Sequence, residues 1–384
     1  MKIIFNRNTV SAAVAPLMCA VGGKMTLSAV EGILIEAKIP DTCTMTTYDL
    51  EKGMRITINA KVIEEGSFII NAQKFNQILK VMDREEITLT VGDNLAATIE
   101  CGKSVHKMNA LAGSDFPLVP KLESNQSFTI SQKVLKNMLQ KVSFAMAIND
   151  QRAVLNGCFC EIKDNKLMLV SCDTFKLAKC SVTTDIKNTG DEGTKIDFRF
   201  IIPVKTVNEI TRMLASDEDS VVKIVMTRKN MIFVFDDLIF FSRFVDGTYI
   251  DYDRVIVKNH KISLIADRDE VESALERAAI ITEERIIGSV RSSVRLDISD
   301  NVMKILAKSS AGSTYDEVDV EHEGDDLLIA FNNKYLTDSI RACSAEKIKI
   351  SLSSALISIN IEPAEKLEND AEELFMLLPV RMNN

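Results

Sequence analysis

The chain has 384 residues, of which 46% are hydrophobic and 26% charged, with a formal net charge of −9. At roughly 100–200 residues per domain this length holds two to four domains, and interspersed charge with ample apolar sequence excludes a disordered chain. An acidic balance is the wrong sign for a protein that grips nucleic acid with its whole surface, so any such role must rest on a local basic face.

The first residues, MKIIFNRNTVSAAV, place Asn and Arg where a secretory signal needs an uninterrupted apolar stretch, and no small-residue cleavage site follows. No apolar run approaches the ~20 residues of a membrane span. Cysteines stand at 19, 43, 101, 158, 160, 172, 180 and 343. Cys158 and Cys160 sit two apart in the strand-like run LNGCFCEI and share one face. Without a C-x-x-C or clustered histidines, neither zinc nor any other cofactor is expected. The thiols read as buried and free in a reducing cytoplasm.

In chain order, one pattern is written three times. Each copy opens with a short strand, a polar cap and an amphipathic helix: KIIF-NRN-TVSAAVAPLMCA, then SFTI-SQK-VLKNMLQKVSFAMA, then KISLI-ADRD-EVESALERAAII. In the second, Val134, Leu135, Met138, Leu139 and Val142 fall at helical spacing, and Ser131 is positioned as its N-cap. Alternating strands follow. A second helix entry comes next, in SFIINAQKFNQILKVM, DFRFIIPVKTVNEITRML and DLLIAFNNKYLTDSIRAC. Each reads as an apolar strand, a two-residue turn containing Asn or Pro, a lysine (Lys74, Lys205, Lys334) and a helix of about ten residues. Paired runs around polar turns, such as ITLTVGDNLAATIECG, VKIVMTRKNMIFVFDD and KIKISLSSALISINIE, predict antiparallel hairpins. The expectation is an α+β chain of three domains, 1–122, 123–257 and 258–384, each with two helices and about eight strands.

The helix faces carry a charge signal. Helix 71–82 presents Gln73, Lys74, Asn76, Gln77 and Lys80, and helix 131–147 presents Gln132, Lys133, Lys136, Asn137, Gln140 and Lys141, both without an acid. Helix 203–214 sets Lys205, Asn208 and Arg212 against Glu209. Helix 267–282 departs, because Asp267, Asp269, Glu270, Glu272 and Glu276 outnumber Arg268 and Arg277, although early acids suit a helix N-terminus.

Several segments together resemble the bacterial sliding clamps, the β subunits of DNA polymerase III. They are Gly22-Gly23-Lys24 with Thr26-Leu27, Asp115-Phe116-Pro117, Arg152 with Leu155-Asn156-Gly157, and Cys172-Asp173 with Lys176-Leu177-Ala178. Val245-Asp246-Gly247 with Asp251-Tyr252, Arg254-Val255, Phe331-Asn332 and the terminal Leu378-Pro379-Val380-Arg381-Met382 complete the set. None is specific alone; their order and spacing in a three-repeat chain are. The resemblance implies a head-to-tail homodimer of three-domain subunits, a six-domain ring around duplex DNA without sequence preference. Its implied partners are the polymerase III α subunit, the clamp loader and other proteins bearing clamp-binding peptides. The polymerase name then attaches by association, not by catalysis.

Carried over residue by residue, the partner-peptide pocket takes Leu155, Cys172, Thr174, Phe175, Lys176, Leu177, Ile250, Arg254, Val255, Ser358, Met376, Leu378, Pro379, Val380, Arg381 and Met382. This chain has Thr174-Phe175-Lys176 where Gly-His-Arg is common in the family, Ile250 where Pro is common, and Leu378 and Val380 where Met is common. The expected DNA-facing residues are Lys24, Lys74, Lys80, Lys136, Lys141, Asn149, Arg152 and Lys205. The family pattern sets Lys103, His106 and Met108 of an edge strand against Ile280 and Ile281 of a helix at the dimer seam. His106 replaces the usual apolar aromatic there, which leaves open a pH-sensitive seam or neutral packing.

Little in the chain points to an enzyme. His106, His260 and His322 are scattered, and no G-x-S-x-G, P-loop or H-E-x-x-H occurs. Asp251-Tyr252-Asp253 reads as a turn. A scaffold that binds no DNA and a nucleic-acid enzyme with an unrecognised carboxylate site are the competing functions. The acid-free helix faces speak against the first, and the lack of converging His, Asp and Glu against the second.

Overall fold

A computed structural model describes residues 1–23, 27–191, 193, 195–282, 293–310 and 312–382. Its helices are α1 (Arg7–Leu17), α2 (Ala72–Val81), α3 (Gln132–Ser143), α4 (Val204–Met213), the short α5 (Tyr252–Val255), α6 (Arg268–Thr282) and α7 (Asn333–Ala342). The helices pack in pairs, α1 on α2, α3 on α4 and α6 on α7, one pair to each sequence repeat. Side chains at the strand ends start them. Asn6 accepts from the amides of Asn8 and Thr9, Ser131 from Val134, and Asp267 from Glu270.

The second helix entries differ from the sequence reading. Strands Gly66–Asn71, Asp197–Pro203 and Leu327–Asn332 run directly into α2, α4 and α7, with no two-residue turn between. The last strand residue is itself the cap: Asn71 accepts from the Lys74 amide and Asn332 from that of Tyr335. Pro203, with φ −59°, enters α4 without a side-chain cap.

The described residues fall into two compact units, residues 1–130, 187–194 and 221–244 in one and 131–186, 195–220 and 245–384 in the other. The first holds a five-stranded and a ten-stranded sheet; the second is built on a twelve-stranded sheet. Pairing between repeats makes the large sheets. Strand Lys52–Asn59 pairs antiparallel with Leu238–Arg243, and Lys176–Thr183 with Glu372–Leu377. At the first joint Gly53 lies opposite Phe241, and a Cβ there would stand 2.1 Å from the ring, so only glycine lets the strands close. Phe5, Phe75, Phe128, Phe240 and Phe241 are fully buried in the first unit, Phe331 and Phe375 in the second.

A turn is also repeated. Asp49 Oδ1 accepts from the amides of Glu51 and Lys52, and Asp173 Oδ1 from those of Phe175 and Lys176. Both turns force a side-chain-bearing residue into the left-handed region, Leu50 at φ 77° and Thr174 at φ 80°. A β-branched residue there is strained. Thr174→Gly should therefore stabilise the fold by about 0.5–1 kcal/mol, the strain relieved less the added freedom of the unfolded chain. Urea denaturation checks this, and an unchanged or lower midpoint would mean that the threonine makes contacts worth the strain.

Candidate functional site

The helix faces retain their cations, but neighbouring elements answer several of them. On α2, Lys74 and Lys80 are exposed, and among the described residues neither has an ion pair. On α3, Lys133 pairs with Glu218, Lys136 donates to Ser216 Oγ at 2.8 Å, and Lys141 pairs with Glu373. Glu373 is 5% exposed and also accepts from the amide and hydroxyl of Ser344. Lys141 is thus held by a buried carboxylate, whose desolvation is tolerable only with that cation beside it. Of the expected DNA-facing set, Lys141 is the residue most committed within the fold.

Arg152 is exposed and reaches both carboxylate oxygens of Asp150, at 3.0 and 3.1 Å. Asn149 is exposed at φ 60°, and Lys205 is exposed on α4, where Arg212 lies 3.7 Å from Glu209. Lys24 lies outside the described residues. The acids of α6 also find partners: Arg341 of α7 holds Glu272 and Glu276, each at 2.7 Å. Neighbouring elements thus answer part of the basic face of α3 and part of the acidic face of α6, while α2 keeps its cations unanswered among the described residues.

The expected pocket residues converge in part. Leu155, Cys172, Leu177 and Met376 form one buried cluster with Ala147, Val170 and Ile256, and Ile250 packs against it. Cross-strand register places Leu177 opposite Met376. Leu155 and Leu177 are wholly buried, so they are core beneath the site and not its surface, and truncating either would excavate the core. An aromatic group not named from the sequence also packs against this cluster: Phe159 stacks on Tyr249 at 5.5 Å between ring centroids and meets Tyr252 at 6.1 Å. The signal in the sequence is the Tyr249-x-x-Tyr252 spacing. Burial pushes the Tyr249 hydroxyl well above its ordinary pKa, so it stays protonated.

Around this floor lie exposed apolar groups, Phe175, Val255, Leu378 and Val380. The tail is tied down by main-chain bonds, Leu378 N donating to Phe175 O at 2.8 Å and Val380 N to Ala330 O at 2.7 Å. Thr174 and Arg381 are exposed, and Pro379 and Met382 half-buried. Lys176 is buried, pairs with Asp173 and lies 4.0 Å from the ring centre of Tyr335. Arg254, on α5, pairs with Asp251 at 2.9 Å. Ser358 is buried just before strand Ile359–Pro363, whose Ile359 pairs with Leu377. Apolar anchoring surface with a few polar groups at its edge is the usual make-up of a site for a short peptide.

Among the described residues, strand Ser104–Asn109 forms one edge of the five-stranded sheet and is paired only with Ala96–Cys101. Lys103, just before it, is exposed; His106 and Met108 are half-buried. Ile280 is 76% exposed on the last turn of α6, and Ile281 is half-buried. An unpaired strand edge and a bare isoleucine are features an interface would cover.

The repeated helix pairs and shared antiparallel sheets define an α+β protein of the clamp class. Models of the DNA polymerase III β subunit match the whole length of the chain, the N-terminal domain over residues 1–120, the central domain over 129–251 and the C-terminal domain over 253–378. The chain belongs to this family, the bacterial β sliding clamps. It is 30% identical to the β sliding clamp of Salmonella typhimurium and 29% identical to that of Proteus mirabilis, in each case across all of both chains. Its fold superposes on the crystal structure of the DNA polymerase III β subunit from Pseudomonas aeruginosa with a TM-score of 0.86 at 26% identity, again across all of both chains. The sliding clamp of Bacillus subtilis matches with a TM-score of 0.89 and full coverage of both; at 24% identity it speaks for the fold alone.

Proposed function

We infer that this chain is a DNA sliding clamp, a non-catalytic processivity factor in DNA replication that keeps a polymerase on its template. The observation that carries this is the full-length family match across three repeats, each with its own helix pair. The three domains are taken as 1–122, 123–257 and 258–384, which follow the sequence repeat; the matched stretches support these limits. Two chains close head to tail into a ring, with strand Ser104–Asn109 of one against the end of α6 of the other. Lys24, Lys74, Lys80, Lys136, Asn149, Arg152 and Lys205 touch phosphates only, so the ring slides. Lys141 acts from behind, holding Glu373. Few phosphate contacts make binding weak and salt-sensitive, as sliding requires.

Partner proteins dock a short peptide, a glutamine followed by spaced leucine and phenylalanine, over the Leu177–Met376 floor. The polymerase III α subunit and the clamp loader are the expected carriers. Among the described residues no helix is long and apolar enough to cross a membrane. The cytoplasm is the compartment that fits the proposed replication role.

Primer extension with a cognate polymerase and clamp loader, under a trap that prevents rebinding, tests the reading. Adding the protein should turn short products into full-length ones. Unchanged product lengths would refute it.

A further inference from the structure

Two of the strand edges left open among the described residues are opposite in charge. Strand Ser104–Asn109, with Lys103 just before it, carries His106 and Lys107 and no acid. Strand Ser313–Glu323 pairs with Val302–Lys308 from Ser313 to Asp319, but its other side meets Ile262–Asp267 only from Val320 onward. Its first half is therefore bare on that side, and it carries Asp316, Glu317 and Asp319 and no base. The end of α6 lies beside this half. A Cβ on Gly312 would stand 3.7 Å from Ile281 Cδ1, and Arg277 Nε reaches both carboxylate oxygens of Asp316, at 3.1 and 3.0 Å. A basic open edge and an acidic open edge on one chain suit one occupant, a second copy joined edge to edge.

Edge-to-edge pairing keeps the faces of the joined sheets in line. His106 stands opposite Ile99 and Met108 opposite Ala97, both wholly buried, so His106 and Met108 lie on the core face. On the acidic strand Val318 and Val320 are buried and Asp316 reaches α6, so its core face is the one that α6 covers. Core face joined to core face sets His106 and Met108 against Ile280 and Ile281. Lys107, Lys308, Glu317 and Asp319 are exposed on the outer face, where water screens them. On its own side of the seam the imidazole has Ile99, Cys101 and Met108 as neighbours on its face, with Lys103 and Lys107 flanking it in sequence and Arg84 against Gly102. Across the seam Asp316 is committed to Arg277, and Glu276, farther along α6, to Arg341. Glu283, Glu284 and Arg285, which follow α6, lie outside the described residues. The described groups thus offer a protonated imidazole cations on its own side and no uncommitted carboxylate on the core face.

We propose that His106 makes ring closure proton-sensitive: the neutral imidazole packs in the seam, and its protonated form opens it. The proposal rests on the head-to-tail ring inferred above and adds a control to it. A charge without a partner is costly to bury, and histidine is the side chain that ordinarily changes charge between pH 5 and 8. The free subunit binds a proton that the ring excludes, so association is full above that range and is lost as pH falls through it. At about pH 5.5 a histidine of ordinary pKa favours its proton about tenfold. Each seam that excludes the proton weakens by that factor, and two seams together by about a hundredfold.

Sedimentation of the whole protein over a dilution series, at about pH 7.5 and about pH 5.5 and one ionic strength, reads the dimer dissociation constant. Circular dichroism at both pH values checks that the fold is the same. For the wild type the constant should rise about a hundredfold between the two. Two variants remove the proton site: His106→Phe, and His106→Gln, which keeps a polar group that does not titrate. In both, the constant should change by less than about threefold. The proposal is overturned if the wild-type constant stays level or falls with acid, or if either folded variant loosens as the wild type does. A wild-type chain that is monomeric at about pH 7.5 overturns the ring reading and this one with it.

Discussion

Ile280→Asp should convert the dimer to monomers. The side chain is 76% exposed in the single chain, so aspartate there costs the subunit almost nothing. In the ring proposed above the same position would lie against the edge strand of the next subunit, where an unpaired carboxylate would lose its water. Such a charge costs several kcal/mol, and a head-to-tail ring of two subunits has two equal seams, so the penalty is counted twice. Adding Ile281→Asp deepens the effect but also disturbs a half-buried position, so the single variant is the cleaner probe. Sedimentation at low micromolar concentration should give the subunit mass with an unchanged circular dichroism spectrum. A dimer of wild-type stability would place the seam elsewhere.

Deleting residues 378–384 should abolish peptide docking and polymerase stimulation and leave the dimer intact. The tail contributes exposed Leu378 and Val380 beside Phe175, and among the described residues two main-chain bonds tie it to the body, to Phe175 O and Ala330 O. The fold therefore loses little, whereas binding energy in small grooves concentrates in a few anchors, so affinity should fall by ~2 kcal/mol or more, about thirtyfold. If the truncated protein binds the partner peptide with unchanged affinity, the peptide lies elsewhere.

Periodicity carried most of the fold. Val134 to Val142 marked α3, Ser131 marked its cap, and the two-stranded runs marked hairpins that the structure forms at the same turns. Two things were not legible. Strand-to-helix junctions at Asn71, Pro203 and Asn332 looked like turns, because Asn and Pro are turn residues as readily as they are helix-starting ones. The compact units also cut across the repeat, because strands 52–59 and 238–243 pair over a long sequence separation that no local pattern encodes.

The site divides the same way. Resemblance picked out Leu155, Cys172, Leu177, Ile250 and Met376, which the structure brings together. It could not say that Leu155 and Leu177 are wholly buried or that Tyr249 and Tyr252 pack against their cluster, since burial depends on what the rest of the chain places around a residue. Lys141 is the sharpest case. On its own helix it faces no acid, and its partner Glu373 is 232 residues away.

A sliding ring of the kind proposed above holds DNA by topology and not by affinity. The clamp should be loaded onto a singly nicked circular duplex by its loader, separated from free protein by gel filtration, and the circle then cut once. Protein that stays with the circle at moderate salt and leaves within minutes of linearisation, unless the ends are blocked, is the result expected of an encircling ring. Equal retention on circular and open-ended linear DNA, or strong preference for one DNA sequence, would contradict it.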